Sequence, residues 1–108
     1  MFVYNMSYKM LFLINWSVSS NNRVPCWNVF GKMNPEDDIK DAGEDIKIVG
    51  RWHHLSGAGG VCIAECSDVS KLNSWMLNWS PICDISVQPV VEDSTARENI
   101  RSKPYFEA

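Results

Sequence analysis

Residues 46–65 constrain this chain more than any other stretch. They read Ile46-Lys47-Ile48-Val49-Gly50-Arg51-Trp52-His53-His54, then Leu55-Ser56-Gly57-Ala58-Gly59-Gly60, then Val61-Cys62-Ile63-Ala64-Glu65. Two runs rich in β-branched and aromatic residues around a Gly/Ser cluster predict a β-hairpin. A turn centred between Gly57 and Ala58 sets His54 opposite Val61, Trp52 opposite Ile63 and Gly50 opposite Glu65. Trp52, His54, Ile63 and Glu65 then share one sheet face. Val49, Cys62, Ala64 and Cys66, small enough for close helix packing, share the other. A one-residue bulge inverts the edge strand and makes His53 the competitor to His54.

The flanking segments supply the remaining elements. Residues 10–18 alternate as a strand, with Leu11 and Leu13 on one side and Phe12, Ile14 and Trp16 on the other. Ser19-Ser20-Asn21-Asn22 is a run of N-cap residues, and Pro25 suits the first turn of a short helix carrying Trp27, Val29 and Phe30, with Gly31 as its stop. Residues 34–45 hold six acids and read as an exposed connection, at most with a helical turn. Ser67 or Asp68 caps a helix running to about Trp79, whose buried face is Val69, Leu72, Met76 and Trp79. Pro81 forbids more helix. Residues 84–91 form a last strand, which Pro89 confines to an edge or a bulge. The expected organisation is an N-terminal extension over 1–9, a domain over 10–91, and a polar tail over 92–108 that is either disordered or an arm packing on a partner subunit.

Composition narrows the function classes. A chain of 108 residues makes one domain, with a real core that still gains from oligomerisation. Its net charge of −3 and lack of a Lys/Arg cluster argue against nucleic acid and anionic membrane as partners. The apolar run 10–14 is too short for a signal-peptide core or a membrane span, so the cytoplasm is the expected location; Met1, Met6 and Met10 leave the start open. Cys26, Cys62, Cys66 and Cys83 include no Cys-x-x-Cys pair. Cys62 and Cys66 stand about 13 Å apart along one strand, too far to bridge. Reduced core thiols are expected, and the sequons at Asn5, Asn15 and Asn78 then carry no meaning.

The element order is β-α-β-β-α-β, the ferredoxin-like α+β arrangement of a four-stranded antiparallel sheet with both helices on one face. The other face is left bare and apolar, which calls for a partner; two such sheets packed face to face make a dimeric α+β barrel. Gly50-Arg51-Trp52-His53, the Gly-rich hairpin, Ala64-Glu65-Cys66-Ser67-Asp68, the helix with Trp75, Asn78 and Trp79, and Gln88-Pro89-Val90-Val91 resemble a bacterial family of uncharacterised small proteins. That family is known as a domain of unknown function with a dimeric ferredoxin-like α+β-barrel fold. The resemblance is closest over about residues 43–93. It implies a fold, a homodimer and a cavity, in a superfamily that also holds cofactor-independent monooxygenases, muconolactone-isomerase-like and haem-degrading enzymes and ligand domains of transcription factors. No catalytic residue carries over with it.

The candidate site is therefore the bare face. Glu65, in mid-strand beside Ile63, is costly to bury unless paired or protonated, so it suits a general base or an anchor for a ligand's polar head. The alternative is a strand-end carboxylate in water or one paired across a dimer. His54 with Glu65 makes an acid–base pair across the hairpin, the alternative being a partly exposed strand histidine. His53 and His54 point to opposite faces and cannot share a metal, and no third ligand has a metal-like spacing. Trp16 and Trp52 either line an apolar cavity or simply pack, whereas Trp75 and Trp79 read as core. No P-loop, dinucleotide fingerprint or nucleophile elbow is present, so no cofactor is expected. The favoured function is a dimeric barrel holding a small apolar or amphipathic, acyl-like molecule against Trp16, Trp52, His54, Ile63 and Glu65. The alternatives are a cofactor-independent monooxygenase or isomerase using His54 and Glu65, and a purely structural dimer.

Overall fold

The computed structural model describes residues 9–108; the expected N-terminal extension lies, apart from Lys9, outside them. The chain is α+β, with elements β1 (Met10–Ser17), α1 (Ser20–Lys32), α2 (Pro35–Ala42), β2 (Lys47–His53), β3 (Gly59–Cys66), α3 (Val69–Trp79), β4 (Asp84–Val90) and α4 (Asp93–Arg101). The four strands form one open antiparallel sheet in the order β2-β3-β1-β4. Both this order and the antiparallel pairing are consistent with a ferredoxin-like fold, with two helices in the first crossover and one more after β4. Among the described residues no helix is long and apolar enough to cross a membrane.

One sheet face carries the core. Phe12 and Ile14 of β1 and Cys62, Ala64 and Cys66 of β3 are buried against Ala42 of α2, Ile46, and Leu72 and Trp75 of α3. The period-2 alternation of β3, with every second residue buried, follows from its central place in the sheet. Among the described residues, the opposite face, with Leu11, Leu13, Val61, Ile63 and Val90 all half-buried, has no layer over it.

The helices depart from the sequence reading in four places. α1 begins at Ser20 and takes Pro25 into its interior rather than at its first turn; Ser19 makes no side-chain cap, and Cys26 is the one buried residue. The acidic connection is a full two-turn helix, α2. Asn34 and Asp37 form a reciprocal capping box, Pro35 stands at the first turn, Glu36, Asp37 and Asp38 sit where the helix dipole favours acids, and Gly43 ends it. In α3, capped by Asp68 on Ser70 N–H, Trp75 takes the buried place expected for Val69, which is 56% exposed. Finally, part of the polar tail is helical. Asp93 opens α4, Arg101 closes it, and an Asp93–Arg97 pair at 3.7 Å spans one turn.

The hairpin turns one residue earlier than the spacing suggests. His54–Gly57 closes as a β-turn, with Gly57 N–H on His54 C=O at 2.9 Å and Gly57 at φ +79°. Trp52 consequently opposes Val61 and Gly50 opposes Ile63. Each pairing has moved by two residues, so Trp52, Ile63 and Glu65 stay on the open face, whereas His54, expected there too, falls in the turn beyond β2 and Val49, expected on the helix side, is 53% exposed. A bulge at Val49, between Ile48 and Gly50, flips only the start of β2: Ile48 joins the core side and Lys47 the open side.

Candidate functional site

A pocket of about 270 Å³ lies on the helix-covered side, between α1, the second half of α3 and the β2–β3–β1 end of the sheet. It exists because α1 stands off from the strands. Only Cys26 of α1 is buried; Val24, Trp27 and Val29 remain about half exposed. Few bonds hold the helix in place. Trp27 Nε1–H donates to Gly57 C=O at 2.9 Å, and Arg23 Nε–H donates to Val18 C=O at 3.0 Å. The Trp27 indole lies so close to Gly57 that a Cβ there would approach it at 2.7 Å.

The wall is aromatic and aliphatic: Trp16, Trp27, Phe30, Trp75 and Trp79 with Ile14 and Ile85. Among the described residues, its only ionisable nitrogen groups are Arg51 and His53. These two residues are one residue apart on β2, so both point to the helix side. The Arg51 guanidinium lies 4.8 Å over the Phe30 ring and 3.0 Å from Asp38 Oδ1 of α2. That contact is an ion pair rather than an aligned hydrogen bond, since Asp38 Oδ1 is buried with no hydrogen-bond donor. His53 packs edge-on to Trp16 at 5.3 Å and tilted against Phe30 at 4.8 Å. Burial, then the Arg51 charge, lowers the His53 pKa from 6.5. Its imidazole is neutral at pH 7 and offers one donor and one acceptor.

Two thiols in the pocket wall, Cys62 and Cys83, are held protonated. Burial pushes Cys62 up to about 11, against the opposing charge of Arg51. Burial and the adjoining Cys26 thiol push Cys83 up to about 11. Neither supplies a thiolate near neutrality. Among the described residues, no group of three His, Cys, Asp or Glu is placed to hold a metal.

The lowered His53 pKa has a testable sign. The unfolded chain binds this proton more readily than the folded one, so His53 makes stability fall as pH drops below about 6.5 and leaves it unchanged above. Urea midpoints between pH 5 and 7 should therefore slope upward, and His53→Gln should flatten that slope. An equal slope in the variant removes the role of His53.

The residues expected to form one site are divided among three places. Trp16 lines the helix-side pocket. Trp52, Ile63 and Glu65 lie on the open face, where Trp52 is 59% exposed and folds flat over Gly50. Glu65 sits opposite Lys47 and 3.9 Å from Lys9 Nζ. His54 is beyond the strand, in the turn, with its backbone bonded to Gly59 and Gly57 and its side chain exposed. Glu65 is at the far end of β3, six residues or about 20 Å away. The structure does not bring His54 and Glu65 together. Arg51, Phe30 and Trp27 went unassigned to a site and His53 entered only as the competitor to His54, although the Arg51-Trp52-His53 alternation marks Arg51 and His53 as face-mates of Cys62.

Neither the curated proteins nor the solved structures include a match to this chain. A family model does match residues 10–103, from β1 through α4, and the chain belongs to the family described as a domain of unknown function (DUF3303).

Proposed function

We propose that the protein binds a small amphipathic molecule with an aromatic or compact apolar body in the pocket between α1, α3 and the sheet, its polar end directed at Arg51 and His53. The observation that carries this reading is an apolar cavity of about 270 Å³ whose ionisable nitrogen groups, among the described residues, are those of Arg51 and His53. The volume is near the lower end of the ~300–1,000 Å³ range of small-molecule pockets and about twice the ~150 Å³ cavity that takes up benzene. It suits one or two fused rings better than a long acyl chain. Trp16 offers aromatic surface, and Arg51, stacked on Phe30 and 3.0 Å from Asp38 Oδ1, offers its remaining N–H donors to a carboxylate.

Naphthalene-2-carboxylate is a suitable probe. It should quench tryptophan fluorescence saturably, with Phe30→Ala weakening binding about tenfold or more and Arg51→Gln selectively weakening the acid relative to naphthalene itself. Linear, unsaturable quenching up to millimolar probe overturns the reading.

A second reading rests on the exposed Trp52 beside Ile63 and Glu65. It places the ligand between two open sheet faces of a dimeric α+β barrel, with Glu65 at the polar end. In that case Trp52→Ala, and not Phe30→Ala, abolishes binding. Acid–base catalysis by His54 with Glu65 has less support, because about 20 Å of β3 separates them.

A further inference from the structure

The apolar anchor of α1 is a thiol. Cys26 is the one buried residue of the helix, and its side chain packs with Val18 and Cys83 in a small cluster apart from the main core. The Cys83 thiol donates a hydrogen bond to the Cys26 sulfur. One turn earlier on the same helix face, Asn22 Nδ2 donates to Ile82 C=O at 3.5 Å. α1 therefore runs alongside the corner between α3 and β4, where two thiols from distant parts of the sequence meet.

Cys26 and Cys83 also line the pocket of about 270 Å³, so a small neutral molecule that enters it reaches both sulfurs. Cys62 and Cys66 belong instead to β3 and the main core. The backbone on both sides of the pair can adjust. Cys83 lies in the irregular stretch between α3 and β4, and α1 stands off from the strands. An S–S bond is shorter than any contact between two thiols. Closing one here draws α1 toward the corner that holds Cys83.

We infer that Cys26 and Cys83 are a site of reversible oxidation, at which a hydroperoxide entering the pocket converts the two thiols to a disulfide that ties α1 to the α3–β4 corner. Cys26, the hydrogen-bond acceptor of the pair, attacks the terminal peroxide oxygen. The O–O bond breaks, and the departing oxygen takes the Cys26 proton and leaves as alcohol or water. The Cys83 sulfur then attacks the sulfur of the Cys26 sulfenic acid. The S–S bond forms, the S–O bond breaks, and the released hydroxide leaves as water with the Cys83 proton. Two thiols lose two electrons, and one peroxide gains them. The site does not depend on what else the pocket binds.

The test uses the full-length protein, reduced and then exposed to hydrogen peroxide. Its mass should fall by two hydrogens. After alkylation of the remaining thiols, trypsin should release residues 24–32 joined to residues 72–97, each peptide holding one cysteine. Closing a loop of about 60 residues restricts the unfolded chain, so Tm should rise by about 10 °C, and dithiothreitol should reverse the rise. Cys83→Ala should leave a Cys26 sulfenic acid that dimedone captures, whereas Cys62→Ala should leave the link in place. Four free thiols after peroxide treatment overturn the inference. So does a link to the peptide 52–71, a link between two chains, or a disulfide that leaves Tm unchanged.

Discussion

Replacing Gly60 by alanine is expected to destabilise the protein by about 3 kcal/mol, or roughly 10–20 °C in Tm. A Cβ at this position runs into the Trp52 carbonyl on one side and the Trp16 indole on the other. The indole can move, at the expense of the pocket wall. The carbonyl belongs to the β2–β3 ladder and cannot, because Trp52 is held in register against Val61. The comparison is Gly31→Ala in α1, where a Cβ meets nothing within 4 Å. There the substitution should raise stability by about 0.5–1 kcal/mol, the usual gain from removing a helical glycine. Thermal unfolding of the two variants should move in opposite directions. Equal losses would mean that the close approach at Gly60 is not the cause.

Asp41→Ala should cost a similar amount, about 3 kcal/mol. Asp41 Oδ2 accepts from Trp75 Nε1–H at 3.0 Å and from Trp79 Nε1–H at 2.7 Å, while Oδ1 accepts from Asn78 Nδ2 at 3.1 Å. One carboxylate thus fastens three residues of α3 to the last turn of α2. Removing it orphans the indole N–H of Trp75, a residue only 5% exposed, and each unsatisfied donor costs about 1–3 kcal/mol. Asp41→Asn keeps an acceptor oxygen at the site and should lose about half as much. Urea denaturation followed by tryptophan fluorescence reads both, since Trp75 and Trp79 are the reporters. A loss under about 0.5 kcal/mol for alanine, the range of a neutral surface change, would place these indoles in water.

The sheet was legible because its signals are local. The Gly57, Gly59 and Gly60 cluster between β-branched runs marks the hairpin, and face membership of Trp52, Ile63 and Glu65 survives the two-residue shift because strand parity does. α3 declared itself through its Asp68 cap and the Leu72, Met76, Trp79 spacing. α2 was written in the chain as well, in Asn34, Pro35, Asp37 and Gly43. Its acids read as a solvated loop only if their match to the helix N-terminus is overlooked. The pocket was less accessible. It depends on how far α1 stands from the sheet, a distance set by Trp27 on Gly57 and Phe30 on Arg51 across residues far apart in sequence. Periodicity along one element carries no information about the gap between two. His53 reaches the pocket for a related reason: its strand face was predictable, but not that this face would have room beside it.

The two outer strands bear on how this chain avoids uncontrolled assembly. β2 and β4 are the sheet margins, where unpaired backbone groups recruit further strands. β2 is interrupted there by its bulge at Val49, and β4 carries Pro89, which has no N–H to offer. A ladder extended from either side would meet a mismatch within a few residues. Fibre-like growth along the hydrogen-bonding direction is thereby discouraged.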